Sequence, residues 1–229
     1  SKAEVVDGIK DKALKFSTDI DYLNLEKVPN FETNDSFSGS FWINTDDMNP
    51  EKTQHVLGTS GQKNDFWRGW DIYLDNKNFI NMRLINVLPT NLIHVKSDLM
   101  IEKDTWNHIT FSYNGSAKSS GIRIFINGKE ANLDVKMDNL YKSIHPIPVG
   151  KKSQTGFPLN VRKKDIRPLR VGRSGMYHSG DKGLFSGKID DIYLFSKDMT
   201  NLESLSLFNS YDISKRNVNE TVIKNHWIE

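Results

Sequence analysis

Residues 104–115, DTWNHITFSYNG, alternate apolar and polar side chains and end at an Asn-Gly pair. Successive side chains of a strand point to opposite faces, so Ile109, Phe111 and Tyr113 share one face and His108 lies on the other. The Asn-Gly pair favours the positive φ of a tight turn. The pattern predicts an antiparallel strand with one buried face.

The same period of two recurs along most of the chain in short runs bounded by Gly, Asn and Asp. The runs are FSGSFWIN (37–44), WDIYLD (70–75), FINMRLI (79–85), NLIHVKS (91–97), GIRIFINGKE (121–130), PLRVG (168–172) and GKIDDIYLF (187–195). Their predicted inward residues include Phe37, Gly39, Phe41, Ile43, Trp70, Ile72, Leu74, Ile80, Met82, Leu84, Ile93, Val95, Ile122, Ile124 and Ile126. Many short strands with almost no helix predict two packed antiparallel sheets, an all-β sandwich.

A single short helix is predicted after the last of these strands. Thr200 and Glu203 have the spacing of a capping box, in which each side chain hydrogen-bonds to the backbone N–H of the other residue. Leu202, Leu205 and Phe208 are expected to form the apolar side of this helix.

Composition excludes several classes of function. The 31 Lys and Arg residues nearly balance the 29 Asp and Glu residues, so the chain has no broad field to attract nucleic acid. It has no cysteine, which excludes disulfides, thiolate metal sites and cysteine nucleophiles. No apolar run approaches the roughly 20 residues that a membrane-spanning helix needs, so membrane insertion is not predicted.

Two regions interrupt the strand pattern. Residues 145–168 carry four of the seven prolines and a basic cluster, and they predict a long exposed loop. Residues 211–229 are polar until His226 and Trp227, and are predicted to be a tail or a linker to a following domain. Residues 1–210 are therefore expected to form one domain.

Several of the runs together resemble the laminin-G-like, concanavalin A-like jelly-roll family, in its laminin-G type 3 form. The likeness rests, in chain order, on ALKF, SFSGSFWIN, DTWNHITFSYNG, GIRIFINGKE, PLRVGRSG and FSGKIDDIYLFSKDMT. Residues 69–97 and 119–144 are similar to the version found inside large exported bacterial proteins, between uncharacterised domains that often follow a c-type cytochrome module.

The resemblance implies a two-sheet antiparallel jelly roll that serves as a recognition or spacer module in an extracytoplasmic protein, which is periplasmic, cell-surface or secreted. It also implies one structural calcium ion, held by hard oxygen ligands that join the N-terminal strands to the final strand. No organic cofactor is predicted. The implied calcium ligands are Asp19, Asp21, the carbonyl of Gly39, Asp190 and Asp191. The alternative is that these aspartates are ordinary turn, cap or bulge residues.

A carbohydrate site needs aromatic faces for stacking and planar polar groups for hydroxyls. Trp67 and Arg68 lie in a loop before a strand, which makes them better candidates than Trp70. Trp70 lies on the same predicted inward face as Ile72 and Leu74. The other candidates on neighbouring strands and turns are Tyr73, Arg83, Asn86, Asn91 and His94, and a second rim would contain Arg173, Tyr177 and His178. The basic cluster in residues 145–168 is a further candidate for an anionic polysaccharide, or is simply a solvated loop.

Catalysis is not predicted. His108 has no nucleophile motif beside it, so it is interpreted as a structural residue that braces the sandwich with Trp106. Glycoside hydrolysis uses a pair of carboxylates, and the adjacent Asp190 and Asp191 would point to opposite faces of a regular strand.

The leading hypothesis is a non-catalytic glycan-binding module whose ligand is a polysaccharide or oligosaccharide. The alternatives are a module that positions flanking domains of a parent protein and, more remotely, a glycoside hydrolase-like enzyme.

Overall fold

The computed structural model describes residues 3–9, 11–17, 21–25, 30–46, 53–61, 66–145, 168–173 and 183–209. Strands dominate this part of the chain, and one α-helix follows the last strand. The elements are β1 (Glu4–Asp7), β2 (Lys12–Phe16), β3 (Leu23–Leu25), β4 (Ser36–Thr45), β5 (Gln54–Gly58), β6 (Gly69–Leu74), β7 (Phe79–Val87), β8 (Asn91–Met100), β9 (Asn107–Asn114), β10 (Ile122–Ile126), β11 (Lys129–Glu130), β12 (Leu133–Asp138), β13 (Leu169–Val171), β14 (Gly187–Phe195) and α1 (Asn201–Asn209).

The strands form two antiparallel sheets of seven strands each. Sheet A has the order β1-β2-β14-β4-β9-β10-β11, and sheet B has the order β12-β8-β7-β6-β5-β13-β3. The prediction of an all-β, two-sheet sandwich with one short C-terminal helix is confirmed. The Asn127-Gly128 turn between β10 and β11 has the predicted positive φ at both residues, 52° and 74°.

The inner faces of the two sheets enclose one apolar core. Phe37 of sheet A is stacked on Phe31 with ring centroids 4.4 Å apart, and its ring lies 5.4 Å from that of Trp70 in sheet B. A Cβ atom at Gly39 would lie 2.5 Å from the Phe111 ring, so only glycine allows this aromatic packing. The inward residues predicted from the alternation are all buried.

Helix α1 packs on the outer face of sheet A. The capping box is formed, since Thr200 N donates to Glu203 Oε2 at 2.8 Å and Glu203 N donates to Thr200 Oγ1 at 3.3 Å. The predicted apolar side of the helix is wrong in part, because Leu202 is 79% exposed and Leu205 is 42% exposed. The helix instead buries Leu207 against the sheet.

His108 lies in this interface between sheet A and α1. Its ring centroid is 5.0 Å from that of Trp42 and 6.0 Å from that of Phe208. Burial lowers the pKa of His108 to about 4, so the ring is neutral near pH 7. His108 is thus packed as an aromatic ring between sheet and helix.

Candidate functional site

The outer face of sheet B carries a group of polar side chains whose parity is opposite to that of the core residues. In β6 the side chains of Trp70 and Ile72 enter the core, so those of Asp71 and Tyr73 point outward. We call the group the polar face. It consists of His55, Asp71, Tyr73, Asn81, Arg83, His94 and Arg170.

The strand register explains why these residues meet. Strands β6, β7 and β8 pair in chain order, which places Asp71 opposite Arg83 and Arg83 opposite His94. Tyr73 stands between His55 on β5 and Asn81 on β7. The predicted ligand-binding residues Tyr73, Arg83 and His94 are therefore close together.

Asp71 and Arg83 form a two-pronged ion pair at the centre of the polar face. Arg83 Nε donates to Asp71 Oδ1 at 2.8 Å, and Arg83 Nη2 donates to Asp71 Oδ2 at 2.7 Å. The Asp71 side chain is 0% exposed. Its burial raises the pKa, but the guanidinium of Arg83 outweighs that effect and holds the pKa of Asp71 below its usual value.

Tyr73 and His94 extend the network. Nε2 of His94 lies 3.0 Å from the Tyr73 hydroxyl and 3.0 Å from Asn81 Oδ1. The Arg83 guanidinium carbon lies 4.4 Å from the centroid of the Tyr73 ring, a cation–π contact. Burial and the charge of Arg83 lower the pKa of His94 to about 4, so this histidine is neutral near pH 7.

A second group surrounds the turn between β7 and β8 at the end of the same sheet. Leu88 N donates to Phe66 O at 3.4 Å, which fixes the loop of Trp67 against this turn. Phe66 and Trp67 have φ angles of 60° and 61°, a left-handed conformation that is uncommon for bulky residues. Trp67 is half-buried, whereas Arg68 is buried and its Nε donates to Asn86 O at 3.4 Å.

Tyr141 is an aromatic residue at this turn that the sequence reasoning missed. Its backbone N donates to Asn91 Oδ1 at 3.2 Å, and its side chain is 66% exposed. We call Trp67 and Tyr141, together with the turn between them, the aromatic rim. The available signal was a lone aromatic among polar residues in DNLYKS, outside any alternating run.

Four of the five predicted calcium ligands lie within the described residues. Asp190 Oδ2 accepts from Ile9 N at 2.9 Å and so joins the β1–β2 turn to β14, and Asp21 Oδ2 accepts from Ser17 N at 2.9 Å. Gly39 lies within sheet A, and Asp191 is exposed in a bulge with φ 46°. Asp19 is outside the described residues. In the described part of the chain no group of three or more His, Asp or Glu residues could hold a metal, and the calcium site stays a prediction.

The second predicted rim is described only at Arg173. Its guanidinium carbon lies 4.5 Å from the centroid of the Tyr22 ring. Tyr177 and His178 lie outside the described residues, as do most of residues 145–168 and all of the tail 211–229. The other members of the polar face were not predicted as site residues: His55, Asp71, Asn81 and Arg170.

Comparison with known proteins identifies the family. Residues 17–157 match the laminin-G type 3 family model, described as the concanavalin A-like lectin/glucanases superfamily. The match covers more than half of the chain, so the chain belongs to this family. No curated protein matches it. Of the described helices, none has the length and apolar character required to cross a membrane.

Solved structures share the fold at low sequence identity. The chain is similar to the binding domain of Paraclostridial mosquitocidal protein 1, with TM-score 0.62, 19% identity, and coverage of 92% of this chain and 46% of that one. The CBM40 module of the Ruminococcus gnavus IT-sialidase, bound to α2,3-sialyllactose, gives TM-score 0.61, 15% identity, and coverage of 86% and 95%. The botulinum neurotoxin serotype G binding domain gives TM-score 0.56 and 16% identity, with coverage of 91% of this chain and 45% of that one. The chain thus spans less than half of the two toxin domains.

Proposed function

We propose that this chain is a non-catalytic carbohydrate-binding module. The observation that carries the proposal is the aromatic rim. Its two aromatic residues, half-buried Trp67 and largely exposed Tyr141, belong to segments that hydrogen-bond to the two ends of one turn. Aromatic faces are the surfaces on which sugar rings stack, and a rigid platform loses little entropy on binding. A structure of the same fold, the Ruminococcus gnavus CBM40 module, has sialyllactose bound, which supports the choice of a glycan.

The backbone around the rim supports this role. Phe66 and Trp67 hold left-handed conformations that cost energy, and such strain persists where the surrounding structure fixes it. The hydrogen bond from Leu88 N to Phe66 O supplies one of the fixing contacts. This contact holds the backbone of the loop that carries Trp67 against the turn between β7 and β8.

The polar face supports a binding role more than a catalytic one. Asp71 is its one carboxylate, and it is buried in the ion pair with Arg83. Glycoside hydrolysis uses two carboxylates, one of which must exchange a proton. A carboxylate locked by a guanidinium is a poor general acid because its pKa is lowered.

The test is a glycan array followed by titration of the ligands that bind. Trp67→Ala and Tyr141→Ala are each expected to weaken binding by about tenfold, since a lost stacking contact corresponds to about 1.4 kcal/mol. Trp106→Ala is the matched control, because it removes a half-buried tryptophan from the segment before β9 in sheet A. Absence of any bound glycan, or equal weakening by Trp67→Ala and Trp106→Ala, would refute the proposal.

A protein-interaction module is the second candidate function. It is favoured by the exposure of Leu202 and Leu205 on α1, which packs on sheet A, whereas the aromatic rim belongs to sheet B. A double Leu202→Ser, Leu205→Ser variant should lose association with neighbouring segments of a parent protein while retaining glycan binding. Retention of that association would argue against this candidate.

A further inference from the structure

The neighbours of His94 on the polar face decide which of its ring nitrogens carries the proton. Nε2 lies 3.0 Å from Asn81 Oδ1, an atom that can only accept a hydrogen bond. The Asn81 amide is held in this orientation because its Nδ2 donates to Phe79 O at 3.1 Å. In the neutral ring Nε2 therefore carries the proton, and Nδ1 is left as an acceptor.

The same assignment leaves the Tyr73 hydroxyl with an unused donor. The hydroxyl oxygen lies 3.0 Å from Nε2 of His94, its one hydrogen-bonding neighbour within the described residues. Because that nitrogen already carries a proton, the hydroxyl can accept from it but cannot donate to it. Burial raises the pKa of Tyr73 to about 12, so its proton is retained near pH 7 and needs another acceptor.

Solvent reaches this part of sheet B from the side of β12, which is the edge strand. His94 is half-buried, and Tyr73 is 9% exposed. Met137 lies opposite His94 on β12 and is 36% exposed. Within the described part of the chain, Nδ1 of His94 has no hydrogen-bond partner, and the ring retains contact with solvent. A ligand can therefore approach Nδ1 across the β8–β12 edge.

The charges around His94 are already balanced. Burial is the main cause of its lowered pKa, and four charged side chains also act on it. They form two ion pairs, Arg83 with Asp71 at 2.7 Å and Lys136 with Asp134. Every cation that acts on His94 thus already has a carboxylate partner. An acidic sugar placed here would meet two carboxylates, whereas an uncharged sugar would meet no repulsion.

We propose that His94 and Tyr73 bind the hydroxyl groups of an uncharged sugar residue. Nδ1 of His94 accepts a hydrogen bond from one sugar hydroxyl, and the Tyr73 hydroxyl donates to another sugar oxygen. A sugar hydroxyl both donates and accepts, so it matches an unused acceptor beside an unused donor. This inference rests on the proposed carbohydrate-binding function and names the class of sugar.

The aromatic rim lies along the same pair of chain segments. His94 and Asn91 are three residues apart on β8, which is about 10 Å at the usual rise of a strand. The chain that follows β12 stays beside β8, since Asn139 N donates to Leu92 O at 2.9 Å and Tyr141 N donates to Asn91 Oδ1 at 3.2 Å. One short oligosaccharide can therefore contact His94 and stack on Tyr141.

The first measurement is nitrogen NMR of the full chain labelled at histidine, near pH 7 and without sugar. The His94 signals are assigned by their loss in His94→Phe. We expect a proton on Nε2 and none on Nδ1, and we expect lactose or another uncharged glycan that binds to shift the Nδ1 signal. A proton on Nδ1 would overturn the inference.

The second measurement is calorimetric titration with sugar pairs that differ in the carboxylate. The pairs are lactose with sialyllactose, and methyl-esterified oligogalacturonate with oligogalacturonate. The uncharged member is expected to bind at least as tightly as the acidic one. Tyr73→Phe and His94→Phe should each weaken its binding by about three- to tenfold, the range for one hydrogen bond between neutral groups.

Matched controls come from sheet A. Tyr193→Phe removes the hydroxyl of a half-buried tyrosine on β14, and His108→Phe removes a buried imidazole from β9. Both variants should bind as the wild type does. Tyr73→Phe deletes one oxygen atom, so it tests the site even if His94→Phe fails to fold.

Two results would overturn this inference and leave the carbohydrate-binding function standing. One is tighter binding of the acidic member in both pairs. The other is a bound glycan whose affinity falls in Trp67→Ala but not in Tyr73→Phe or His94→Phe. If no glycan binds at all, the inference and the wider function fall together.

Discussion

Replacing His108 by phenylalanine should remove a pH dependence of stability that arises from one buried ring. The imidazole packs between Trp42 and Phe208, and its Nδ1 has no hydrogen-bond partner. Burial alone lowers its pKa from 6.5 to about 4. Phenylalanine keeps an aromatic ring in this interface but cannot bind a proton.

The sign and size of the effect follow from the two pKa values. Between about pH 6.5 and pH 4 the unfolded chain binds a proton at this histidine that the folded chain does not, so stability falls as the pH falls. A tenfold change in proton affinity corresponds to about 1.4 kcal/mol, and integration from about pH 7 to pH 5 gives a loss of about 2 kcal/mol for His108. Above the pKa of the unfolded chain, His108 is neutral in both states and its titration costs no stability.

The assay is urea unfolding followed by tryptophan fluorescence, near pH 7 and near pH 5, on the wild type and His108→Phe. His55 and His94 titrate in both proteins, so the difference between the two losses isolates His108. Between pH 7 and pH 5, the free energy of unfolding of the variant is expected to fall by about 2 kcal/mol less than that of the wild type. His145→Phe is the control, since His145 is half-buried near the end of the 66–145 segment. Equal losses in the wild type and His108→Phe would refute the reasoning.

Two further predictions concern stability. Arg83→Ala should lower the free energy of unfolding by about 3–5 kcal/mol in urea, because it leaves the Asp71 carboxylate buried without its counter-charge; Lys12→Ala, at an exposed ion pair, should show no measurable change. Thr200→Ala should cost about 1 kcal/mol by removing the cap of α1, and Thr200→Ser should recover most of it because its hydroxyl can still accept from Glu203 N. A thermal melt that does not distinguish Thr200→Ala from the wild type would contradict this role for the cap.

The sandwich could be predicted from the sequence because a period of two decides which side chains enter the core. Phe37, Trp70 and Ile124 follow that period without exception, and all are buried. The period does not reveal what lies above an outward side chain. His108 lies on the outward face of β9 yet is buried under α1. Leu202 and Leu205 were wrongly assigned to the apolar side of α1 because the sequence does not show which side of a helix meets the sheet.

The candidate site was predictable only where strands that follow each other in the chain are also neighbours in the sheet. Tyr73, Arg83 and His94 come from β6, β7 and β8, and their proximity followed from pairing in chain order. Arg170 reaches the polar face because β13 pairs with β5, more than 100 residues earlier in the chain. No local pattern specifies such a long-range register, since it depends on how the whole sheet closes.

The hydrogen bonds between β2 and β14 have a mechanical consequence. The two strands are antiparallel, with Phe16 opposite Gly187, so the start of β2 and the end of β14 face the same end of sheet A. A tension applied between Lys12 and Phe195 would load the hydrogen bonds of this pair one after another, because they run perpendicular to the strands. We expect β2 and β14 to separate at low force by sequential rupture of these hydrogen bonds. The aromatic packing around Phe37 should still hold the two sheets together at that force.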